Sequence, residues 1–143
     1  MCLEVKKPEI IVAKEDIVCY KVMIEFPGDK GAWQSPFLHM VYKEGRTYEL
    51  GKKLNFTREY RYYTVEEGFH SFANLSDALL FLNVYEVRYP WRFMGIGRYA
   101  YVIVKCIIPE GTTYAEGLFD DCNNKFHSFC SEKIICEGKI ENE

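Results

Sequence analysis

Ile17-Val-Cys-Tyr-Lys-Val-Met-Ile-Glu-Phe26 decides the fold, and Tyr99-Ala-Tyr-Val-Ile-Val-Lys-Cys-Ile-Ile108 repeats its character. Both stretches are dense in β-branched and aromatic residues, which suit a pleated, half-buried surface. Each ends on turn formers, Pro27-Gly28-Asp29 after the first and Pro109-Glu110-Gly111 after the second. They read as the main strands of a sheet. Weaker strands are predicted at Phe37–Tyr42, Tyr60–Thr64 and Lys133–Glu137, with a short edge strand at Ile10–Ala13.

One helix is predicted at about residues 75–83. Leu75, Ala78, Leu79 and Leu82 recur at helical spacing and form one apolar face. Asn74 or Ser76 supplies an N-cap oxygen, and Asp77 suits the positive end of the helix dipole. The predicted class is therefore α+β: a mostly antiparallel, aromatic-rich sheet with this helix packed on a face.

The chain has 143 residues, the size of a single domain spanning 1–143, and residues 1–8 and 138–143 are expected to fray. Apolar residues make up 48% of it, too many for a disordered chain. Eighteen basic and 21 acidic residues are interspersed, for a net charge of −3. No basic stripe of the kind that grips phosphate backbones is present, so no nucleic-acid partner is expected. The arginines at 58, 61, 88, 92 and 98 do lie among aromatics, but Glu59, Glu66, Glu67 and Glu86 dilute them. No apolar run reaches the length of a membrane span, and residues 1–15 lack a signal-type apolar core. The expectation is a cytoplasmic protein whose six cysteines (2, 19, 106, 122, 130 and 136) stay reduced, Cys19 and Cys106 as small buried hydrophobes.

Phe-His-Ser-Phe occurs twice, at Phe69–Phe72 and Phe126–Phe129, and holds two of the three histidines. The first copy reads as a turn leading into the helix, the second as lying just before the C-terminal strand. Histidine is a ready acid, base or ligand near neutral pH. A chance repeat in an aromatic-rich chain is the stronger explanation of the duplication. Pro90–Arg98 reads as a loop carrying apolar residues between glycines, either a flap or a cover over the core.

Cys122, His127, Cys130 and Cys136 share one stretch, but their spacing matches no zinc knuckle or ribbon, so no metal is expected. Cys130 follows His127 by three residues without a fixed third group, and neither a Gly-x-Ser-x-Gly elbow nor a phosphate-cradling glycine loop is present. The residues favour a small binding or interaction module over an enzyme. Its site would join His70, Trp91 and His127, with rings such as Tyr62 as walls. The partner would be a small ligand or a protein. A structural or oligomeric protein with the Trp91 loop as its contact is the other non-catalytic reading.

The order of segments adds a resemblance. Cys19-Tyr20-Lys21, then Gly68-Phe69-His70-Ser71-Phe72 and its helix, then Ile108-Pro109-Glu110-Gly111-Thr112, then Ser131-Glu132-Lys133 resembles a small ADP-ribosyltransferase-like fold. The resemblance spans most of residues 17–136. It implies NAD as the bound molecule, with His70 or Ser71 lining the nicotinamide pocket. It also implies Glu132 as the catalytic carboxylate, which would hold the ribose and stabilise oxocarbenium charge. Lys21 stands where that family places Arg or His, and Cys130 stands where many active members place Glu or Gln. Tyr48-Glu49-Leu50-Gly51, the Gly68-Phe69-His70 turn, the Ile-Pro-x-Gly-Thr turn and the late Ser-Glu-Lys strand are similar to short uncharacterised proteins of bacteria and their phages. That likeness implies no activity.

Overall fold

The computed structural model describes residues 3–25, 28, 30–36, 40–88, 100–121 and 124–140. Thirteen strands and one helix follow one another among them. The N-terminal half holds β1 (Leu3–Val5), β2 (Ile11–Val12), β3 (Ile17–Glu25), β4 (Ala32–Gln34), β5 (Val41–Lys43), β6 (Thr47–Glu49), β7 (Thr57–Arg58), β8 (Tyr63–Val65) and β9 (Phe69–Phe72). After α1 (Leu75–Arg88) come β10 (Ala100–Ile108), β11 (Thr113–Asp121), β12 (Asn124–Ser131) and β13 (Lys133–Lys139). The sheet runs β6-β13-β10-β3-β9-β12-β11-β1-β8-β7, with β2 beside β11 and β4 joining β5 to β3. Every one of these pairings is antiparallel.

This corrects the α+β class. Among the described residues thirteen strands stand against one 14-residue helix, so the fold is β-rich rather than balanced α+β. The excess strand lies where the sequence reads as turn or loop. β9 lacks polar alternation because all four of its residues are buried. β11 contains Glu116, Gly117, Asp120 and Asp121, residues depleted in strands, and is held by its register with β12. Residues 3–5 also depart from expectation. Leu3 and Val5 are buried, and β1 sits between β11 and β8, so this part of the expected fraying end is paired.

β3 and β10 pair along their full length, from Ala100 opposite Glu25 to Ile108 opposite Ile17. Side chains alternate across a strand, and here they serve two cores. Cys19 and Met23 face a cluster with Trp33, Tyr42, Phe69, Val104, Cys106, Ile108, Phe129, Ile134 and Cys136. Val22 faces the helix side, with Phe72, Ala78, Phe81, Leu82, Ile103, Phe119 and Phe126. A third cluster joins Leu3, Val5, Leu54, Val65, Ala115 and Cys130.

The helix is longer than predicted and rotated. Asn74 caps it, its Oδ1 accepting from the Asp77 N–H at 2.9 Å. Ala78, Phe81 and Leu82 are buried, whereas Leu79 lies at the edge of exposure, so Phe81 replaces Leu79 on the packing face. The Phe81 ring lies 5.2 Å from Phe72, 5.5 Å from Phe119 and 5.7 Å from Phe126. Phe81→Ala is therefore expected to cost about 3–5 kcal/mol of unfolding free energy. Urea unfolding measures this, and a loss under about 1 kcal/mol would contradict the packing described.

Candidate functional site

Glu132 occupies the corner where β12 turns into β13. Its N–H donates to Thr113 O at 3.1 Å, and its carbonyl accepts from Leu50 N at 2.8 Å. The Thr113 hydroxyl donates to the Glu132 carboxylate, so the side chain is tied down as well. The turn before β11 completes the corner. Thr112 N–H returns to Pro109 O at 3.1 Å, and Gly111 takes a φ of 84°, the type II arrangement that glycine serves best.

Around Glu132 opens a groove of about 510 Å³ lined by Glu49, Gly51, Lys52, Lys53, Glu110, Gly111, Thr112, Thr113 and Lys133. Lys133 pairs with Glu49 at 3.0 Å, and Lys52 pairs with Glu67. Three carboxylates and three ammonium groups thus face one polar concavity. Such a groove suits a small molecule bearing both charges or several hydrogen-bonding groups.

Lys21, His70 and Ser71 come together elsewhere, in the interior, and none of them lines this groove. The Lys21 ammonium donates to His70 O at 2.5 Å and lies 5.2 Å from the centre of the Tyr42 ring. Among the described residues it pairs with no carboxylate. Burial works against its charge. The Tyr42 hydroxyl and the thiols of Cys106, Cys136 and Cys19 more than offset burial, and its pKa stands above the ordinary value.

The His70 ring donates Nε2–H to Glu66 O at 2.8 Å, leaving Nδ1 buried without a hydrogen-bond partner. Cys130 Sγ stands 3.8 Å from Nε2. Ser71 Oγ is likewise buried, facing Cys19 without a hydrogen bond of ordinary geometry. Gly68 enters this region with a φ of 139°, and a Cβ there would come within 2.4 Å of Cys130 Sγ.

His127 lies on a different face. Its Nε2 pairs with the Glu116 carboxylate, and its backbone N–H donates to Asp77 Oδ2 at 3.1 Å. It borders a second groove, of about 420 Å³, with Val5, Ile11 and Leu118 as apolar walls and Lys6 and Lys7 at its margin. Tyr62 is exposed beside the β7–β8 hairpin and lines neither groove. Trp91 and its loop lie outside the described residues, as does Cys122. The structure therefore divides the expected site: Lys21, His70 and Ser71 inside, Glu132 in one groove, His127 in another. Thr113, Glu116 and the contact between Cys106 and Cys136 had no marker in the sequence, because each depends on strand register.

Among the described residues no group of three His, Cys, Asp or Glu side chains is placed to hold a metal ion. No described helix is long and apolar enough to cross a membrane. No protein-family model, curated protein or solved structure matches the chain.

Burial depresses the His70 pKa from 6.5 to about 4, and the Lys21 charge adds to the effect. Below pH 6.5 the unfolded chain takes up a proton that folded His70 refuses until about pH 4. Stability from this residue is complete above pH 6.5 and falls as the pH drops toward 4. The loss amounts to about 3 kcal/mol for a shift of this size. Denaturant unfolding at pH 7 and pH 4 should show His70→Gln losing less stability than the parent by about that amount. Parallel pH profiles for the two proteins would refute the assignment.

Proposed function

We propose that the protein is a small-ligand binding module whose site is the Glu132 groove. One observation carries the reading: Glu132, at a corner held by two backbone hydrogen bonds, is further fixed by the Thr113 hydroxyl at the edge of a polar concavity. A carboxylate held in place loses little freedom when it meets a ligand. The flanking lysines supply the opposite charge, so a molecule with both a cationic or hydroxyl group and an anionic group is the best match.

The NAD-dependent transferase reading draws on the same carboxylate. In its favour, Glu132 with a hydroxyl donor beside it has the chemistry to stabilise a ribosyl cation. Against it, the Lys21 ammonium is spent on His70 O within the core, where a dinucleotide phosphate would have to displace packed side chains.

Titration of the isotope-labelled protein with NAD, and separately with a free amino acid as a small zwitterion, separates these readings. Ligand-binding predicts amide shifts at Gly51–Lys53, Gly111–Thr113 and Glu132–Lys133 with at least one probe, and at least a tenfold weaker response in Glu132→Gln. NAD shifts that extend to Lys21, His70 and Ser71, with turnover abolished in Glu132→Gln, would put the transferase ahead. No shifts with either probe at millimolar concentration would remove the groove as a site.

A further inference from the structure

Cys19, Cys106 and Cys136 lie in one row across three neighbouring strands, for Cys106 is directly opposite Cys19 on one side and Cys136 on the other. All three are fully buried in the Tyr42 cluster. They are not equivalent. Cys106 Sγ points at Cys136 Sγ across 3.8 Å as a hydrogen-bond donor, whereas Cys19 faces Ser71.

We propose that Cys106 and Cys136 form a dithiol modification site that hydrogen peroxide converts into a disulfide joining β10 to β13. Directly opposed residues of an antiparallel pair have Cα atoms roughly 4.5–5.5 Å apart, inside the roughly 4.4–6.8 Å span of disulfides. The sulfurs must close from 3.8 Å to about 2.05 Å. The ladder shifts register between Lys105 and Cys106, and such an irregularity gives the backbone local freedom next to the bond to be made.

The two thiols have distinct roles. The hydrogen bond from Cys106 holds the Cys136 thiol below its ordinary pKa, and the Lys21 ammonium acts in the same direction. Burial pushes Cys106 up. Cys136 is thus the nucleophile, since the thiolate is the reactive form. Its sulfur attacks one peroxide oxygen, the O–O bond breaks, and the hydroxide leaving takes up a proton to become water. Cys136 is then a sulfenic acid. The Cys106 sulfur, giving up its proton, attacks the sulfenic sulfur, and the S–O bond breaks to release a second water. Two thiols lose two electrons and two protons, and the peroxide is reduced to two waters.

Access is through the sheet's end. Among the described residues only β6, three residues long, lies beyond β13, and short terminal strands open most readily. A molecule as small as hydrogen peroxide needs no larger opening. The bond would span 30 residues and enclose β11, β12 and the Glu132 corner. The chemistry does not depend on what the groove binds.

The test treats the intact protein with hydrogen peroxide under native conditions, verified by circular dichroism. Remaining thiols are alkylated after denaturation and the peptides are mapped by mass spectrometry. The expected product is Cys106 linked to Cys136, lighter by two hydrogens and restored by dithiothreitol, forming equally in Cys19→Ser. Recovery of the two cysteines as free thiols, as sulfinic or sulfonic acids, or linked to any other cysteine would overturn the proposal. The unmutated protein decides the question, so the test does not rest on whether a variant folds.

Discussion

The structure depends on a pair of strands that must be buried on both faces. β9 and β12 lie at the middle of the sheet, with Phe72 opposite Ser128 and Phe129 opposite Ser71. Phe72 and Phe126 enter the helix-side core, while Phe69 and Phe129 enter the opposite one. With no wet face, the polar groups here rely on internal partners, and the Ser71 hydroxyl and His70 Nδ1 are left without one among the described residues. Ser128 donates to Phe126 O at 3.1 Å, Ser131 to Phe69 O at 3.4 Å, and His70 to Glu66 O. The two Phe-His-Ser-Phe copies are thus neighbours in space, two residues out of step. The wing β6-β13-β10-β3 meets the wing β12-β11-β1-β8-β7 through β9, and β3 and β9 share a single register pair, Tyr20 with Phe72. The helix lies against β3, β9 and β10, covering that narrow junction.

The same arrangement separates the polar chemistry. Side chains near the junction are drawn inward, which is why Lys21, His70 and Ser71 are enclosed although their residue types suggest a binding site. Strand ends are where polar groups reach solvent. The Glu132 corner is such an end, built from a type II turn, a β12–β13 bend and the Leu50 segment that crosses it. His127 reaches solvent because β12 alternates at its start, exposed at Lys125 and His127 and buried at Phe126, before both faces close from Ser128 onward.

How much was legible follows from these constraints. β3 and β10 were readable, with ends within one residue of expectation, because long runs dense in β-branched and aromatic residues between turn formers allow little else. The helix start was readable from its Asn74 cap, but the packing face was not, since four consecutive apolar residues, Leu79–Leu82, permit more than one rotation. β9 and β12 hid because doubly buried strands carry no period-two pattern, and with them went the β-rich class. Lys21 with His70 and Ser71 proved to be neighbours, but burial could not be seen from residue types. The partners of Glu132 and His127, Thr113 and Glu116, come from cross-strand register over 19 and 11 residues, which no local motif encodes.

The pairing of β3 with β10 also bears on how the chain is made. Ile17 meets Ile108 and Glu25 meets Ala100, so the longest ladder joins an early segment to a late one. The hairpin of β11 and β12 is local and can form as soon as its residues exist, and α1 can nucleate by itself. β3 cannot: its apolar residues wait, without their main partner, until most of the chain has been synthesised. Closing such distant contacts is slow, and a β-branched strand left open is prone to pair with another chain. During synthesis β3 is therefore a long apolar strand that lacks its main partner until β10 is complete.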